Sequence, residues 1–128
     1  MFKGILAGKS RAVFSGKVLV KQDAQKTKAF QKDLNFLLSE EAEVDTKPSL
    51  EIYADDVECS HGATAGNMDK SMLFYLESRG INKDEAMSML IKGFAQEIID
   101  EFDDINIINV LESILDNKIN ILDIQGIM

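Results

Sequence analysis

The chain has 128 residues, of which 45% are hydrophobic and 28% are charged, a composition typical of a folded domain and unlike that of a disordered segment. Its 14 basic and 22 acidic residues give a net charge of -8, which opposes nonspecific binding to nucleic acid. No apolar run approaches the roughly 18 residues that cross a membrane. One cysteine cannot form an internal disulfide, so the sequence favours a reducing, cytoplasmic compartment.

The first half of the chain carries a weak repeat that predicts stacked β-strands. Three stretches that begin at Val18, Phe36 and Ile52 align without gaps, and each has an apolar strand followed by a polar corner. This pattern is typical of the rungs of a parallel β-helix, in which each rung buries apolar side chains against the rungs above and below it. We expect residues 1–67 to form the terminal part of such a β-helix. A plain antiparallel β-meander is the alternative that the spacing leaves open.

Helical spacing replaces this pattern in residues 68–128. Asp69 is expected to cap a first helix, and Gly80 is expected to end it in a left-handed conformation. Asn82 and Glu85 form the pattern of a capping box, which predicts the start of a second helix.

The second and third helices are predicted from their apolar faces. Gly93 within the second helix costs about 1 kcal/mol relative to Ala, so we expect it to pack closely against another backbone. The third helix is predicted from Ile105 to Asp116, and the apolar tail beyond Lys118 has no predicted form. The predicted face of the second helix is Ala86, Met89, Leu90, Phe94, Ile98 and Phe102, and that of the third is Ile108, Leu111 and Leu115. Four methionines are expected mainly in the core, with an adaptable binding surface as the alternative: Met68, Met72, Met87 and Met89.

Residues 52–66 hold the only cysteine and the only histidine of the chain. Cys59 and His61 are two positions apart in a predicted strand, so their side chains should face the same side. His61 is either a hydrogen-bonded structural residue or a neutral metal ligand whose tautomer a nearby carboxylate, Asp55 or Asp56, would fix. Cys59 is either a small buried residue or a participant in the same site. Because a closed metal site needs about four ligands, any site here must borrow ligands from another chain.

Other kinds of catalytic site are not favoured by the spacing. Asp55 and Asp56 are adjacent and would face opposite sides of a strand, so a solvated corner is the favoured interpretation. Gly62 and Gly66 are not followed by the Gly-Lys-Ser/Thr triplet of a phosphate-binding loop.

Several segments resemble the SufD branch of the SufB/SufD family. They are residues 42–50, residues 52–66 with the form Cys59-Ser-His-Gly-Ala, residues 74–81, Phe14-Ser-Gly-Lys-Val, Ala24-Gln-Lys-Thr and Gly93-Phe. The resemblance extends over residues 2–99 and is to the carboxy-terminal part of that family. Because family members are several times longer, the chain is expected to be a fragment.

The resemblance implies a fold, a function and a set of partners. The fold would be the last rungs of a right-handed parallel β-helix followed by an α-helical region. The function would be that of a noncatalytic scaffold in iron–sulfur cluster assembly, which pairs with SufB through the late strands and with the ATPase SufC through the helices. Cys59 and His61 would lie at the seam with SufB as candidate ligands of transient iron or an iron–sulfur cluster, with no cofactor held stably by the chain alone. The residues that would face SufC are Phe74, Tyr75, Arg79, Gly93 and Phe94.

Two other functions compete with this interpretation. One is an independent metal-binding protein or enzyme that uses Cys59 and His61, and the other is a β-solenoid interaction module unrelated to clusters. If the chain is a truncated β-helix, its first rung, around Ile5 and Val13-Phe14, would have an open end, which predicts self-association of the chain.

Overall fold

A computed structural model describes residues 1–122, which form five β-strands followed by three α-helices. The strands are β1 (Phe2–Leu6), β2 (Arg11–Val20), β3 (Lys28–Leu37), β4 (Glu43–Ile52) and β5 (Glu58–Asn67). The helices are α1 (Lys70–Ser78), α2 (Lys83–Ile99) and α3 (Ile105–Ile121). In this part of the chain, no helix is both long enough and apolar enough to cross a membrane.

The strands form two parallel sheets. In one sheet β3 lies between β1 and β5, and in the other β2 pairs with β4. The β2–β4 ladder runs from Arg11↔Glu43 to Val20↔Ile52. Along β2, exposed residues alternate with partly buried ones, as expected of a strand with one solvated face. The prediction of parallel strands is confirmed, and the antiparallel meander is excluded.

The predicted repeat units do not stack on their immediate neighbours. The stretches that begin at Val18, Phe36 and Ile52 mark the ends of three successive strands, and successive strands lie in alternate sheets. Hydrogen-bonded partners are instead roughly 30 residues apart, as Lys28 and Glu58 are. The prediction that each unit stacks on the next one was therefore wrong. Each unit stacks on the second unit along the chain, because successive strands alternate between the two sheets.

The predicted ends of α1 and the predicted start of α2 are confirmed. The Oδ1 of Asp69 accepts a hydrogen bond from the backbone N–H of Ser71 at 2.8 Å, and the hydroxyl and N–H of Ser71 together lower the pKa of the Asp69 carboxyl. Gly80 follows α1 with a φ of +88°, the left-handed conformation that glycine adopts readily. The Oδ1 of Asn82 accepts from the N–H of Glu85 at 2.9 Å, as in a capping box.

The buried face of α2 differs from the predicted one. Ala86 is buried, but Met89 is 48% exposed, and Phe102 lies beyond the helix and is 41% exposed. Apolar residues occur on more than one side of α2, and spacing alone did not show which side meets the core. The other buried residues of the helix are Met87, Ile91 and Ile99.

Gly93 and the four methionines also show where spacing is insufficient. Gly93 is exposed, and a Cβ built on it would meet no atom of residues 1–122 within 4 Å, so the predicted close backbone contact is not found in the described structure. Met87 is buried and Met68 is partly buried, whereas Met72 and Met89 are exposed. The methionines therefore divide between the core and the surface.

Helix α3 extends beyond its predicted end at Asp116 and finishes at Ile121. Its predicted apolar face is confirmed, because Ile108, Leu111 and Leu115 are all partly buried. Residues 123–128 of the apolar tail lie outside the described residues.

The strands and helices share one apolar core. Leu38 directly follows β3 and is buried together with Ile91 of α2 and Ile119 of α3, while Ile5 and Phe36 pack against this cluster. Full burial of such a side chain contributes about 1.5–3 kcal/mol. The helices thus cover the ends of β1 and β3.

Candidate functional site

Strand β5 carries both candidate metal ligands and lies at an edge of its sheet. It pairs with β3 from Lys28↔Glu58 to Leu37↔Asn67, and no strand of the described region pairs with its other edge. Its second half consists of small residues, and nearly the whole strand is exposed. An edge of this kind leaves backbone N–H and C=O groups open to another strand.

The bend before β5 is held by hydrogen bonds with residues 25 and 26, which lie in the turn between β2 and β3. The N–H of Lys26 donates to the C=O of Asp56 at 2.6 Å, and the N–H of Asp56 donates to the Oε1 of Gln25 at 2.9 Å. Asp55 and Asp56 are both exposed, so the predicted solvated corner is confirmed. Among the described contacts, neither carboxylate bonds to His61, and the structure places no acidic partner on the imidazole.

Cys59 and His61 lie on the same face of β5, as their spacing predicted. The register places Cys59 opposite Ala29 and His61 opposite Gln31. Cys59 is a half-buried free thiol, whereas His61 is exposed. Within residues 1–122, no group of three or more His, Cys, Asp or Glu side chains could hold a metal ion. Cys59 and His61 alone are too few to form a closed metal site, which normally needs about four ligands.

Three buried polar residues of β3 lie on the same side as Cys59 and His61, and the sequence pattern did not predict them. Gln31, Asp33 and Asn35 are 8%, 2% and 7% exposed. The Nδ2 of Asn35 donates to the Oδ2 of Asp33 at 3.0 Å. Their spacing of two residues was the available signal, but the intervening Lys32 is polar as well, so the pattern did not show which face is buried.

Two glycines make room for this buried polar row. A Cβ built on Gly4 of β1 would overlap the Oδ1 of Asn35, and one built on Gly16 of β2 would overlap the Nε2 of Gln31. Glycine permits this close approach because it has no side chain. The sequence therefore provides space for polar groups between the sheets.

Three of the residues expected to face SufC lie on or beside α1. Phe74 and Tyr75 are 71% and 54% exposed, and the guanidinium carbon of Arg79 lies 5.0 Å from the centre of the Tyr75 ring. Exposed aromatic residues beside an arginine are typical of the energetically important centre of a protein interface.

The other two residues of that group lie on α2 in different environments. Gly93 is exposed, whereas Phe94 is half-buried. The ring of Phe94 lies 5.3 Å from that of Phe36 and 4.5 Å from the Nζ of Lys3. Phe94 therefore supports the contact between helix and sheet.

Comparison with protein families gives a match over most of the chain. Residues 1–94 match the family described as SUF system FeS cluster assembly, SufBD core domain. This match includes all five strands, α1 and most of α2.

Curated proteins with names from the same system are also similar to the chain. The iron-sulfur cluster assembly protein SufD of Escherichia coli (strain K12) is 51% identical over 104 residues, which are 81% of this chain and 25% of that protein. An iron-sulfur cluster assembly SufBD family protein of Synechocystis is 50% identical over 101 residues, or 79% of this chain and 22% of that protein. The SufD protein of Bacillus subtilis is 34% identical over 116 residues, or 91% of this chain and 26% of that protein. The chain thus spans about a quarter of the length of these relatives.

Proposed function

Since the chain belongs to the SufBD core-domain family of iron–sulfur cluster assembly proteins, we propose that it acts as a SufD-like, noncatalytic scaffold. The observation that carries this proposal is an open strand edge with two candidate ligands, in a chain that matches this family. Cys59 and His61 share one face of β5, where they can add ligands to a site that a partner completes. This arrangement suits a scaffold better than a self-contained catalytic centre.

We propose that the strands are the last rungs of a right-handed parallel β-helix. Successive strands alternate between two parallel sheets, and hydrogen bonds also join equivalent positions beyond the strands. The N–H of Tyr53 donates to the C=O of Val20 at 2.9 Å, and the N–H of Glu43 donates to the C=O of Ser10 at 2.9 Å. Stacking of this kind is what repeated rungs require. The right hand is inferred from the family resemblance.

The free edge of β5 is the proposed contact with SufB. Extended segments commonly bind by adding a strand to an open sheet edge, where main-chain hydrogen bonds provide affinity. The small residues between Gly62 and Gly66 would let another backbone approach closely. The partner's ligands would then lie beside Cys59 and His61.

The exposed side of α1 is the proposed contact with SufC. Phe74, Tyr75 and Arg79 supply two aromatic rings and a guanidinium group that can pack and donate hydrogen bonds at an interface. Leu73 of α1 packs with Met87 of α2, and Ile91 of α2 packs with Leu38 at the end of β3. Movement driven by ATP hydrolysis in SufC would therefore reach the strands through packed side chains rather than through a flexible linker.

Iron or an iron–sulfur cluster is proposed as cargo, and no resident cofactor is assigned to the chain. Thiolate and imidazole groups are established ligands of such clusters. The half-buried thiol of Cys59 and the exposed imidazole of His61 would provide two of them. A single free cysteine is in keeping with a reducing cytoplasm, which we propose as the compartment.

A His61→Ala substitution in the full-length protein that contains this chain tests the proposal. Wild-type protein should copurify with SufB and SufC and should support cluster formation on the complex. The variant should copurify normally, because His61 is exposed on an edge strand, but it should form clusters at least about 10-fold less well, since a ligand is lost. The measurements are subunit ratios in the purified complex and the ultraviolet–visible absorbance of the assembled cluster.

Ser60→Ala is the matched control, because Ser60 is the exposed neighbour on the opposite face of β5. It should behave like the wild type in both measurements. Failure of the wild type to bind both partners would contradict the scaffold proposal. Normal cluster formation by His61→Ala would remove His61 from the site and leave only the scaffold role.

A further inference from the structure

A buried side-chain oxygen without a described partner belongs to the residue that pairs with the only histidine of the chain. Gln31 is only 8% exposed, and its buried Oε1 has no hydrogen-bond partner among residues 1–122. In the β3–β5 ladder, Gln31 is the residue opposite His61. A buried amide oxygen without a partner costs about 1–3 kcal/mol, so such a group usually has a role.

Within the β1–β3–β5 sheet, the neighbours of Gln31 leave His61 as the best-placed donor. β1 begins opposite Asp33, so no described strand residue lies opposite Gln31 on that side. The Nδ2 of Asn35, two positions along β3, already donates to Asp33. Neighbouring strands are about 4.8 Å apart, and paired residues point to the same face, so an imidazole on β5 can reach an amide on β3 by a change of side-chain rotamer.

The other end of the Gln31 amide is confined. Its Nε2 approaches Gly16 of β2 so closely that even a Cβ at that position would overlap it. The amide is therefore packed against β2, and its burial leaves it little freedom to turn towards solvent. A confined acceptor next to an exposed imidazole can orient that ring at low entropic cost.

We propose that the Oε1 of Gln31 accepts a hydrogen bond from one ring N–H of His61 and thereby fixes its tautomer. The other ring nitrogen then presents its lone pair at the open edge of β5, where the partner's site and the iron cargo are proposed to lie. Gln31 is in this sense a positioning residue that acts through His61. The hydrogen bond stands on the geometry of the two strands, whereas its use in metal binding rests on the proposed function.

Nuclear magnetic resonance of the chain tests the hydrogen bond directly. With a single histidine, every imidazole signal belongs to His61. For the neutral imidazole of the wild type we expect one dominant tautomer, read from the two ring ¹⁵N shifts, and a ring N–H proton protected from exchange with water. Gln31→Met keeps the size of the side chain but removes the acceptor, so the protected proton should disappear and the ring nitrogens should approach the averaged shifts of a free imidazole. Gln31→Glu retains an oxygen acceptor and should restore the protected proton.

Backbone amide spectra of β3 and β5 serve as the control for folding. If Gln31→Met does not fold, the wild-type spectrum alone decides, because absence of a protected ring N–H overturns the proposal. Identical imidazole signals in the wild type and in folded Gln31→Met also overturn it.

Cluster formation in the full-length complex separates this inference from the proposed function. Gln31→Met should lower cluster formation by about 10-fold with normal partner binding. If the hydrogen bond is observed but neither His61→Ala nor Gln31→Met affects cluster formation, the proposed metal role fails while the Gln31–His61 pair stands. If His61→Ala is defective but the hydrogen bond is absent, the positioning role fails while the ligand role stands.

Discussion

Lys3 connects β1 to α2 through a side chain that is only 4% exposed. Its Nζ donates to the C=O of Phe94 at 2.7 Å and also to the carboxylate of Glu97. The hydrogen bond from Lys3 is the main cause of a lowered pKa of the Glu97 carboxyl. Because that carboxylate is 63% exposed, solvent screens the pair, and its main effect is to hold the helix over the first strand.

Replacement of Glu97 by Gln should reduce the loss of unfolding free energy that occurs when the pH becomes acidic. The folded state holds the pKa of Glu97 below its ordinary value of 4.5, so the charged pair stabilises the fold above that pH, and its contribution is lost as the pH falls through the folded pKa. Urea unfolding at about pH 6 and about pH 3 should therefore show a larger loss of unfolding free energy for the wild type than for Glu97→Gln.

Glu101→Gln is a matched control for this measurement, since Glu101 is exposed just beyond α2 and no ion pair of the described region involves it. This variant should lose as much stability as the wild type between the two pH values. Equal losses for the wild type and Glu97→Gln would show that the pair with Lys3 does not contribute.

At the level of single residues, the sequence predicted positions better than contacts. The common face of Cys59 and His61 follows from strand alternation, which needs only their spacing. The neighbour of His61 could not be predicted, because it depends on the register between β3 and β5. Asp55 or Asp56 was the expected neighbour of the imidazole, whereas the register puts Gln31 there.

Replacement of two glycines in the helical region by alanine should change the free energy of unfolding in opposite directions. Gly80 follows α1 with a φ of +88°, which a residue with a Cβ adopts at a cost of about 1–2 kcal/mol. Gly93 lies inside α2 with open space around it, where alanine should stabilise by about 0.5–1 kcal/mol. Urea unfolding should thus give a lower free energy of unfolding for Gly80→Ala and a higher one for Gly93→Ala. A destabilised Gly93→Ala would mean that this position has a contact that the structure does not show.

Among the secondary-structure elements, those with local signals were predicted correctly. The caps at Asp69 and Asn82 depend on hydrogen bonds within a few residues, so the sequence determines them directly. The buried face of α2 depends on contacts with distant elements, and Met87 rather than Met89 meets the core. The predicted stacking of neighbouring units was wrong for the same reason. A repeat along the chain does not show that successive strands belong to different sheets.

In the whole molecule, the strand and helix regions depend on each other for a core. Leu38 and Phe36 at the end of β3 pack with Ile91 and Ile119 of the helices. Removal of residues 68–128 would expose these side chains to water, at about 25 cal/mol for each Å² of apolar surface. Loss of SufC binding after such a deletion would therefore report unfolding as much as loss of a docking surface. Substitutions on the exposed side of α1 are the sharper way to test SufC docking.

The sheet that contains β1, β3 and β5 has two open edges in the described structure. Because all its strands are parallel, β5 of one molecule can pair with β1 of another in the same direction, and each added molecule presents a new open edge. Such a head-to-tail contact does not close on itself and leads to chains of increasing length. Phe2 on β1 is 52% exposed and would add apolar contact area to this pairing.

We therefore expect the isolated chain to associate as its concentration rises, with sedimentation velocity showing a distribution that shifts to larger species. Thr64→Lys places a charge in the middle of the exposed strand β5, where lysine opposes pairing between edges, and it should shift the distribution back towards monomer. Ser113→Lys adds the same charge to an exposed position of α3 and should leave association unchanged, which separates an effect on the edge from an effect of net charge. A wild-type chain that stays monomeric at high concentration, or equal association of the two variants, would show that the open edge of β5 does not drive self-assembly.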